Sequence, residues 1–372
     1  MTFSTRFLSN PRQELDAARL LVHTEALSAE IVHVIEDLGV GGMERAVQSF
    51  ALLARAAGFS PRVLCLRAGG VVADELRRAG IRVDVAAALP RGALVHSHGA
   101  ARAAARVKAR LAGARGVIHH LHGTEVFGLK QRLFERALPP SLYLACSEFV
   151  AGDLRRQLGS PRVEVLHNPV DVTRFDASPQ LRALGRRELG AQGERPVVLT
   201  VGRFAPDKGQ RFMVAAVPAV LARFPEALFV FVGDGPARAE AERLAAPRRE
   251  SFRFVGVKDD VRPYLAACDV YAQPSVNREG LGLAVLEAMA CARPVVASSL
   301  QGLGEAVGDA GRLVEPGDAD RLAAAVVELL EDPAARAALG ARARERVERE
   351  FSSNSIAERL ASVYRRFSES SS

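Results

Sequence analysis

The sequence predicts an α/β protein with two doubly wound domains, each a parallel sheet covered by helices. Short apolar runs, typical of buried strands, alternate with amphipathic helical segments along most of the chain. The 372 residues, 48% of them hydrophobic, can bury two cores. A polar stretch over residues 168–192 separates the two halves and indicates a hinge.

The first domain is predicted over residues 29–172, after a polar prefix of residues 1–28. Its strand-like runs lie at 31–35, 63–66, 82–85, 94–98, 116–121, 142–146 and 163–166. Between residues 43 and 54, apolar side chains recur at spacings of three and four, which predicts an amphipathic helix that Gly58 ends. Ser147 is predicted to cap the helix after the sixth run.

The connection between the third and fourth runs is short. Only residues 86–93 join them, whereas a parallel crossover ordinarily needs about a dozen residues or more. Either the run at 82–85 is a poor strand, or the first sheet has an irregular edge.

The second domain is predicted over residues 173–351 and is more regular. Its strand-like runs lie at 196–201, 227–232, 252–256, 269–273, 294–298 and 312–315. Six strands with interleaved helices form a complete doubly wound unit. From Asp318 onward the pattern is helical.

The composition limits the classes of ligand and partner that we expect. The 50 basic and 43 acidic residues give a net charge of +7, which favours anionic ligands. Aromatic residues make up only 6% and the basic residues are scattered, so we expect no nucleic-acid partner. The four cysteines lie far apart, which favours buried, reduced thiols over a zinc site or disulfides. Without an apolar run of membrane-span length or a signal peptide, a cytoplasmic location is expected.

The most constrained segment is residues 278–287, where Glu279 and Glu287 stand eight positions apart. Gly280 and Gly282 allow the backbone to approach a ligand closely, and a helix predicted to start near Leu283 would direct amide donors toward a phosphate. A nucleotide diphosphate fits such a site. A glutamate pair at this spacing is, taken alone, more often a solvated helix face.

A second candidate segment follows the apolar run that ends at Val201. Gly202 forms a turn, and Arg203 and Lys208 follow it, five positions apart, before a helical segment. An arginine offers a planar fork and a lysine a point charge to phosphate oxygens. Alone, the two cations would be interpreted as surface residues.

Together these segments resemble the retaining glycosyltransferases of family 4. The family signature, a glutamate, seven residues and a second glutamate after Pro-Ser, is matched by Pro274, Ser275, Glu279, Gly280, Gly282 and Glu287. The resemblance covers nearly all residues from Ile31 onward. It implies the GT-B fold, in which two Rossmann-like domains face each other across a cleft, and a last segment, residues 352–372, that packs back on the first domain.

The resemblance also implies roles for individual residues. Arg203 and Lys208 would hold the donor diphosphate, Glu279 would orient the transferred sugar, and Glu287 would accept hydrogen bonds from the ribose hydroxyls. The backbone of Gly280, Leu281, Gly282 and Leu283 would complete the phosphate cradle.

Further motifs are expected to line the same cleft. Gly41 and Gly42 resemble the family's glycine loop, although a simple tight turn explains them equally well; Glu44 and Arg45 are expected on the helix surface. In the second domain, the expected lining residues are Gly202, Gly233 and Val257.

Histidines concentrate at one edge of the first predicted sheet: His96, His98, His119, His120 and His122. Metal binding is one interpretation, but no cysteine or acid completes a zinc set in the sequence, and strand-end histidines are commonly structural. For His122, a match to the family's His-Gly segment near the donor sugar favours a catalytic role. We therefore expect no metal and no cofactor.

The predicted function is that of a retaining, metal-independent glycosyltransferase. It would move a sugar from a nucleotide-diphosphate donor, with UDP favoured over GDP-mannose, to a saccharide or lipid-linked acceptor in cell-surface polysaccharide or lipopolysaccharide synthesis. The alternatives are a nucleotide-sugar epimerase of related fold and a binding protein without activity. A basic segment, residues 102–115, is either a solvated face or a peripheral contact with the inner membrane face.

Overall fold

The computed structural model describes residues 29–159 and 161–368, so the predicted prefix 1–28 lies outside the described residues. The first of its two sheets has seven parallel strands in the order β3-β2-β1-β4-β5-β6-β7. Along the chain these strands are β1 (Glu30–Ile35), β2 (Ser60–Cys65), β3 (Arg82–Val85), β4 (Leu94–His98), β5 (Gly116–Leu121), β6 (Leu142–Ala145) and β7 (Val163–Val165).

Five helices connect these strands. They are α1 (Gly42–Ala56), α2 (Val71–Arg78), α3 (Arg102–Leu111), α4 (Leu129–Ala137) and α5 (Glu148–Leu158). The helix α1 forms because its apolar residues fall on one stripe, which buries Val47, Phe50 and Ala54 against the sheet. As predicted, the side chain of Ser147 caps α5, where it accepts a hydrogen bond from the amide of Val150.

The second sheet has six parallel strands in the order β10-β9-β8-β11-β12-β13. They are β8 (Val197–Val201), β9 (Leu228–Val232), β10 (Phe252–Gly256), β11 (Val270–Gln273), β12 (Val295–Ser298) and β13 (Arg312–Val314). The strand β9 is entirely apolar and buried, because helices cover a parallel sheet on both faces.

Nine helices are described after the first domain. They are α6 (Pro179–Leu189), α7 (Gln210–Arg223), α8 (Arg238–Ala245), α9 (Arg262–Ala267), α10 (Leu283–Ala290), α11 (Gln301–Val307), α12 (Ala319–Glu331), α13 (Pro333–Glu350) and α14 (Ser353–Ser368). The aspartates that precede α12 and α13 cap them, because each carboxylate accepts hydrogen bonds from first-turn amides.

The predicted α/β fold is confirmed: every strand-like run forms a strand of one of the two sheets. The short connection over residues 86–93 contains no helix, yet β3 pairs in parallel with β2 along four residues. The run at 82–85 is therefore a true edge strand, and the first of the two explanations, a poor strand, is wrong.

The chain crosses between the two halves at two adjacent places. Val170 and Ser352 form an isolated parallel bridge, and the amide of Val170 donates to the carbonyl of Phe351 at 2.8 Å. After the second crossing, α14 packs beside α1, and the buried Tyr364 hydroxyl lies 2.7 Å from Nδ1 of His96. The predicted domain boundaries at residues 172 and 351 stay a prediction.

The two halves also meet at the amino-terminal end of α5. Glu305, on α11, accepts hydrogen bonds from the amides of Glu148 and Phe149 at 2.9 and 3.3 Å, and from Nε2 of His167 at 3.1 Å. A carboxylate is favoured there because the helix end carries unpaired amides and a partial positive charge. One apolar core continues across this contact, and it includes Val150 from the first half and Leu303 from the second.

Replacing Glu305 with alanine should destabilise the protein by about 1–3 kcal/mol, because two amides and His167 lose their acceptor. Burial alone would raise the pKa of Glu305, but the hydrogen bonds from His167 and the α5 amides outweigh it and hold the pKa below 4.5. A carboxyl with a depressed pKa stabilises the fold above its unfolded pKa and loses that effect as the pH falls.

Thermal unfolding of the wild-type protein and of Glu305→Ala between pH 7 and pH 3 measures the difference in their stability. This difference should shrink below about pH 4.5. Glu331→Ala is the matched control, since Glu331 forms an exposed pair with Arg223 and should contribute little. An equal loss in the two variants, or a loss independent of pH, would contradict the interpretation.

Candidate active site

A cleft of about 1020 Å³ lies between the two sheets and is lined from both sides. It occurs where the strand order reverses in each sheet, between β1 and β4 and between β8 and β11, the usual ligand position in doubly wound folds. The structure brings every predicted site residue to this cleft: Gly41, Gly42, His122, Gly202, Arg203, Lys208, Gly233, Val257, Glu279, Gly280, Leu281, Gly282, Leu283 and Glu287. Their individual roles stay predictions.

Two helix amino termini face each other across the cleft. Gly282 begins α10 in the left-handed region, with φ of 79°, and no side chain caps the first turn. Opposite it, α1 starts after Gly41, also without a side-chain cap. The gap is narrow, because a Cβ on Gly42 would lie 3.6 Å from Cδ2 of Leu283. Unpaired amides and two positive helix ends therefore converge on one space, which favours an anion.

The glutamate loop rests against the end of β5. A Cβ at Gly280 would lie 2.6 Å from the carbonyl oxygen of His122, so only glycine allows this approach. From the same side, Ser147 Oγ donates to the Gly280 carbonyl at 2.6 Å. Two elements that are distant in sequence thus hold the loop that carries Glu279.

Glu279 belongs to a hydrogen-bonded network and is only 8% exposed. Its Oε1 accepts from Lys208 Nζ at 2.6 Å and from Ser275 Oγ at 2.7 Å. Ser275 in turn accepts from Nε2 of Gln273 at 2.9 Å. The sequence assigned Lys208 to the diphosphate; in this structure Lys208 orients the Glu279 carboxylate, while Arg203 remains exposed on the cleft wall.

Glu287, on α10, also lines the cleft and is half-buried. Burial raises the pKa of its carboxyl to about 7, and the nearby cations of Arg174 and Arg45 only partly oppose this effect. The side chain therefore changes charge near neutral pH. If Glu287 accepts hydrogen bonds from the ribose hydroxyls, as predicted, the strength of those bonds depends on its negative charge.

Sequence reasoning missed several lining residues. Glu44 and Arg45 were expected on the helix surface, but both line the cleft, and Arg45 pairs with Glu75 and Gln48. Other residues in the lining are Asn168, Arg174, Lys258 and Arg262. For Asn168 and Lys258, the position just beyond a strand end was the available signal, because the carboxyl ends of parallel strands meet at one edge. Arg174 and Arg262 lie further along the chain, and no such signal marks them.

Both ring nitrogens of His122 are engaged within the protein. Nδ1 lies 2.8 Å from Oδ1 of Asn168, and Nε2 lies 2.9 Å from Nδ1 of His98. An amide oxygen only accepts, so Nδ1 of His122 carries the proton. His122 thus lines the cleft while both of its ring nitrogens are held by neighbouring residues.

The basic segment 102–115 differs from the expected solvated face at two positions. The side chain of Arg106 is 1% exposed and lies 2.6 Å from Oε2 of Glu135. Arg102 pairs with Glu125 and lies beside Glu135. These arginines hold α3 against α4, so they are not available to a surface.

Family models match both halves of the chain. Residues 40–174 match the model for Glycosyltransferase Family 4, and residues 195–332 match the model for Glycosyl transferases group 1. The chain belongs to glycosyltransferase family 4. The resemblance predicted from the glutamate signature is thereby confirmed.

Relatives of this family 4 chain are about a third identical to it over the aligned segments. Over 247 residues it is 36% identical to a GDP-mannose-dependent monoacylated alpha-(1-6)-phosphatidylinositol monomannoside mannosyltransferase of Corynebacterium glutamicum, covering 63% of this chain and 65% of the relative. Over 227 residues it is 37% identical to a phosphatidyl-myo-inositol mannosyltransferase of Mycolicibacterium smegmatis, covering 58% and 56%. The matches thus span less than two thirds of these relatives.

Solved structures confirm the GT-B fold of this family 4 member. The Anabaena protein HepE, in complex with UDP and glucose, superposes with a TM-score of 0.80 at 23% identity, covering 91% of this chain and all of HepE. WaaG, a glycosyltransferase involved in lipopolysaccharide biosynthesis, superposes with a TM-score of 0.69 at 19% identity, covering 90% and 99%. Within the described residues, no helix has the length and apolar character needed to cross a bilayer.

The affinity of the cleft for a nucleotide sugar should rise with pH through about 7. The predicted ribose contact needs the ionised Glu287 carboxylate as acceptor, and burial raises the pKa of this group to about 7. If only the ionised form binds, affinity at pH 6 is about tenfold weaker than at pH 8. Calorimetric titration with a nucleotide sugar measures this, because its pyrophosphate does not titrate in this range.

The Glu287→Gln variant should bind the nucleotide sugar weakly at every pH, and its affinity should no longer depend on pH. Glu328→Gln, a change at an exposed pair with Arg312, is the control and should keep the wild-type profile. A flat profile in the wild-type protein would argue against the ribose role.

Proposed function

We propose that this family 4 protein is a retaining glycosyltransferase that transfers a sugar from a nucleotide-diphosphate donor to a saccharide or lipid-linked acceptor. The observation that carries the proposal is the single cleft between the two halves. In it, two uncapped helix ends, the cations Arg203 and Lys208, and the carboxylates Glu279 and Glu287 converge.

The pyrophosphate would lie against the amino-terminal amides of α10, within reach of Arg203 and Lys208. These groups are oriented before charge develops on the departing phosphate, so they stabilise it at little reorganisation cost. Glu279, held by Lys208 and Ser275, would orient the sugar. The acceptor hydroxyl would attack on the face that the phosphate leaves and pass its proton to that phosphate. We propose that this reaction needs no metal and no cofactor.

The identity of the sugar donor can be tested by comparing a UDP sugar with GDP-mannose. The sequence-based preference for a UDP sugar stays a prediction, and the UDP complex of HepE supports it only at the level of a shared fold. The Corynebacterium relative, at 36% identity, uses GDP-mannose. Both donors should therefore be compared in one assay. Its acceptors are phosphatidylinositol mannosides and lipopolysaccharide core saccharides, because the names of relatives suggest these classes.

Glu279→Gln should keep nucleotide-sugar binding and lose turnover. Removing a charge that acts mainly in the transition state lowers kcat by about 100-fold or more, whereas the donor Kd should change little. Released nucleotide and the anomeric configuration of the product measure transfer and its stereochemistry. Glu328→Gln, which alters an exposed glutamate outside the cleft, serves as control.

The outcomes separate the alternatives. An isomerised donor without acceptor would indicate an epimerase, and binding without any consumption would indicate a binding protein. Inversion at the anomeric carbon would refute the retaining mechanism. Equal activity in the wild type and in Glu279→Gln would refute the proposed active site.

We also propose a peripheral membrane contact through α4, in place of the basic segment 102–115. On α4, Leu129 and Leu133 are 75% and 56% exposed, and Lys130, Arg132 and Arg136 are exposed beside them. Apolar residues flanked by cations are typical of helices that lie on anionic lipid surfaces. The phosphatidylinositol acceptors in the names of relatives support a lipid surface as the partner.

Leu129→Ser combined with Leu133→Ser should weaken binding to vesicles that contain anionic lipid by about tenfold or more, because two apolar side chains no longer enter the interface. Co-sedimentation at low and high salt measures the loss. Leu244→Ser, at an exposed leucine in the second half, is the matched control. Vesicle binding that survives the double change would exclude α4 as the contact.

A further inference from the structure

Five histidines gather on one face of the first sheet, under α1 and α14. His33 lies on β1, His96 and His98 on β4, His120 on β5, and His122 just after β5. The first four are fully buried, and their rings stack on one another and on Phe50. Alternation along a strand places the neighbouring His119 on the opposite face, beside Ser97 and Tyr143.

Three of these rings turn one nitrogen toward a common point. His98, His120 and His122 each offer a ring nitrogen within 4.8 Å of the other two. Nδ1 of His98 and Nε2 of His122 are 2.9 Å apart. Nδ1 of His120 is buried and has no hydrogen-bond partner among the described residues. A buried, unpaired ring nitrogen is unusual in a native protein and requires an explanation.

The other nitrogen of each ring is already held by a neighbour. Nε2 of His120 lies 3.1 Å from the carbonyl oxygen of Leu166, and Nδ1 of His122 lies 2.8 Å from Oδ1 of Asn168. Both oxygens only accept, so these outer nitrogens carry the protons and the inner nitrogens carry lone pairs.

His98 differs, because its Nδ1 lies 2.9 Å from the unprotonated Nε2 of His122 and therefore donates to it, while Nε2 of His98 lies 3.0 Å from Nδ1 of His33. Metal-binding histidines characteristically donate their second N–H to a neighbouring acceptor, which fixes the tautomer and the ring orientation. His120 and His122 already have the tautomer of a ligand. A metal ion at Nδ1 of His98 would require the His98 proton to move to Nε2 and the His33 proton to move to Nε2 of the His33 ring.

His122 is part of the cleft lining, which provides a route of entry for an ion.

A second triad, His33, His96 and His98, shares one member with the first. All three of its residues are fully buried, and none of them lines the cleft. A dication there would be surrounded by apolar core without a counter-charge, which costs far more than binding at the edge of the cleft. The two triads also compete for His98.

We propose that His98, His120 and His122 bind a divalent transition-metal ion, such as zinc, at the floor of the cleft. Three imidazole nitrogens leave a fourth coordination position for water or another ligand. The site would hold the end of β5, against which the Glu279 loop rests. This inference does not depend on the proposed transferase activity.

Titration of the full chain with Co²⁺, after chelator treatment and without a histidine tag, tests the proposal. We expect one ion per chain, with the strong visible absorption of four-coordinate cobalt, and competition by Zn²⁺. His120→Asn should weaken binding by about 100-fold. His119→Asn is the matched control, because it removes the adjacent imidazole from the other face of the sheet and should leave affinity unchanged.

His122→Asn provides a second test at a residue that is only partly buried and lies after the strand, so the fold should tolerate it. Circular dichroism and metal-free thermal unfolding confirm that each variant is folded. Absence of stoichiometric Co²⁺ binding in the wild type would overturn the proposal. So would loss of binding in His96→Asn with retention in His120→Asn, because that result assigns the ion to the buried triad.

Discussion

The structure depends on the contact between Gly280 and the carboxyl edge of the first sheet. Ser147 donates to the Gly280 carbonyl at 2.6 Å, and the missing side chain of Gly280 leaves room for the backbone of His122. This contact joins the two sheets at the edges where doubly wound folds bind ligands. Because it fixes the loop between Glu279 and α10, it also sets the distance between the facing ends of α1 and α10. The cleft is a consequence of this backbone contact.

Charge within the cleft is largely paired before any ligand arrives. Lys208 neutralises Glu279, and Arg262 forms a two-pronged pair with Asp260. Glu287 differs, since burial raises its pKa to about 7 and no partner of comparable strength restores the charge. The attraction for an anion therefore comes from the helix ends and from Arg203, Arg174 and Lys258, which form no ion pair among the described residues. A ligand that releases Lys208 from Glu279 would free both groups at once.

Most of the fold could be predicted because parallel strands, buried on both faces, produce apolar runs that are visible in the sequence. The site could be predicted because its glycines and charged residues follow those runs directly. Arg45 could not, since helical periodicity shows which face enters the core but not that the polar face meets the other half of the chain. The burial of Arg106 was equally hidden, because its partner Glu135 lies on the next helix, and only packing brings the two together.

His122 illustrates why position and chemistry must be argued separately. The family resemblance implied a position near the donor sugar, and the structure places His122 in the cleft lining, against the glutamate loop. Its hydrogen bonds to Asn168 and His98 occupy both ring nitrogens, and its lowered pKa, about 4, keeps the ring neutral at pH 7. It therefore contributes no positive charge to a diphosphate. What His122 gives the cleft is a neutral ring, which Asn168 and His98 hold in one orientation while the backbone oxygen packs against Gly280.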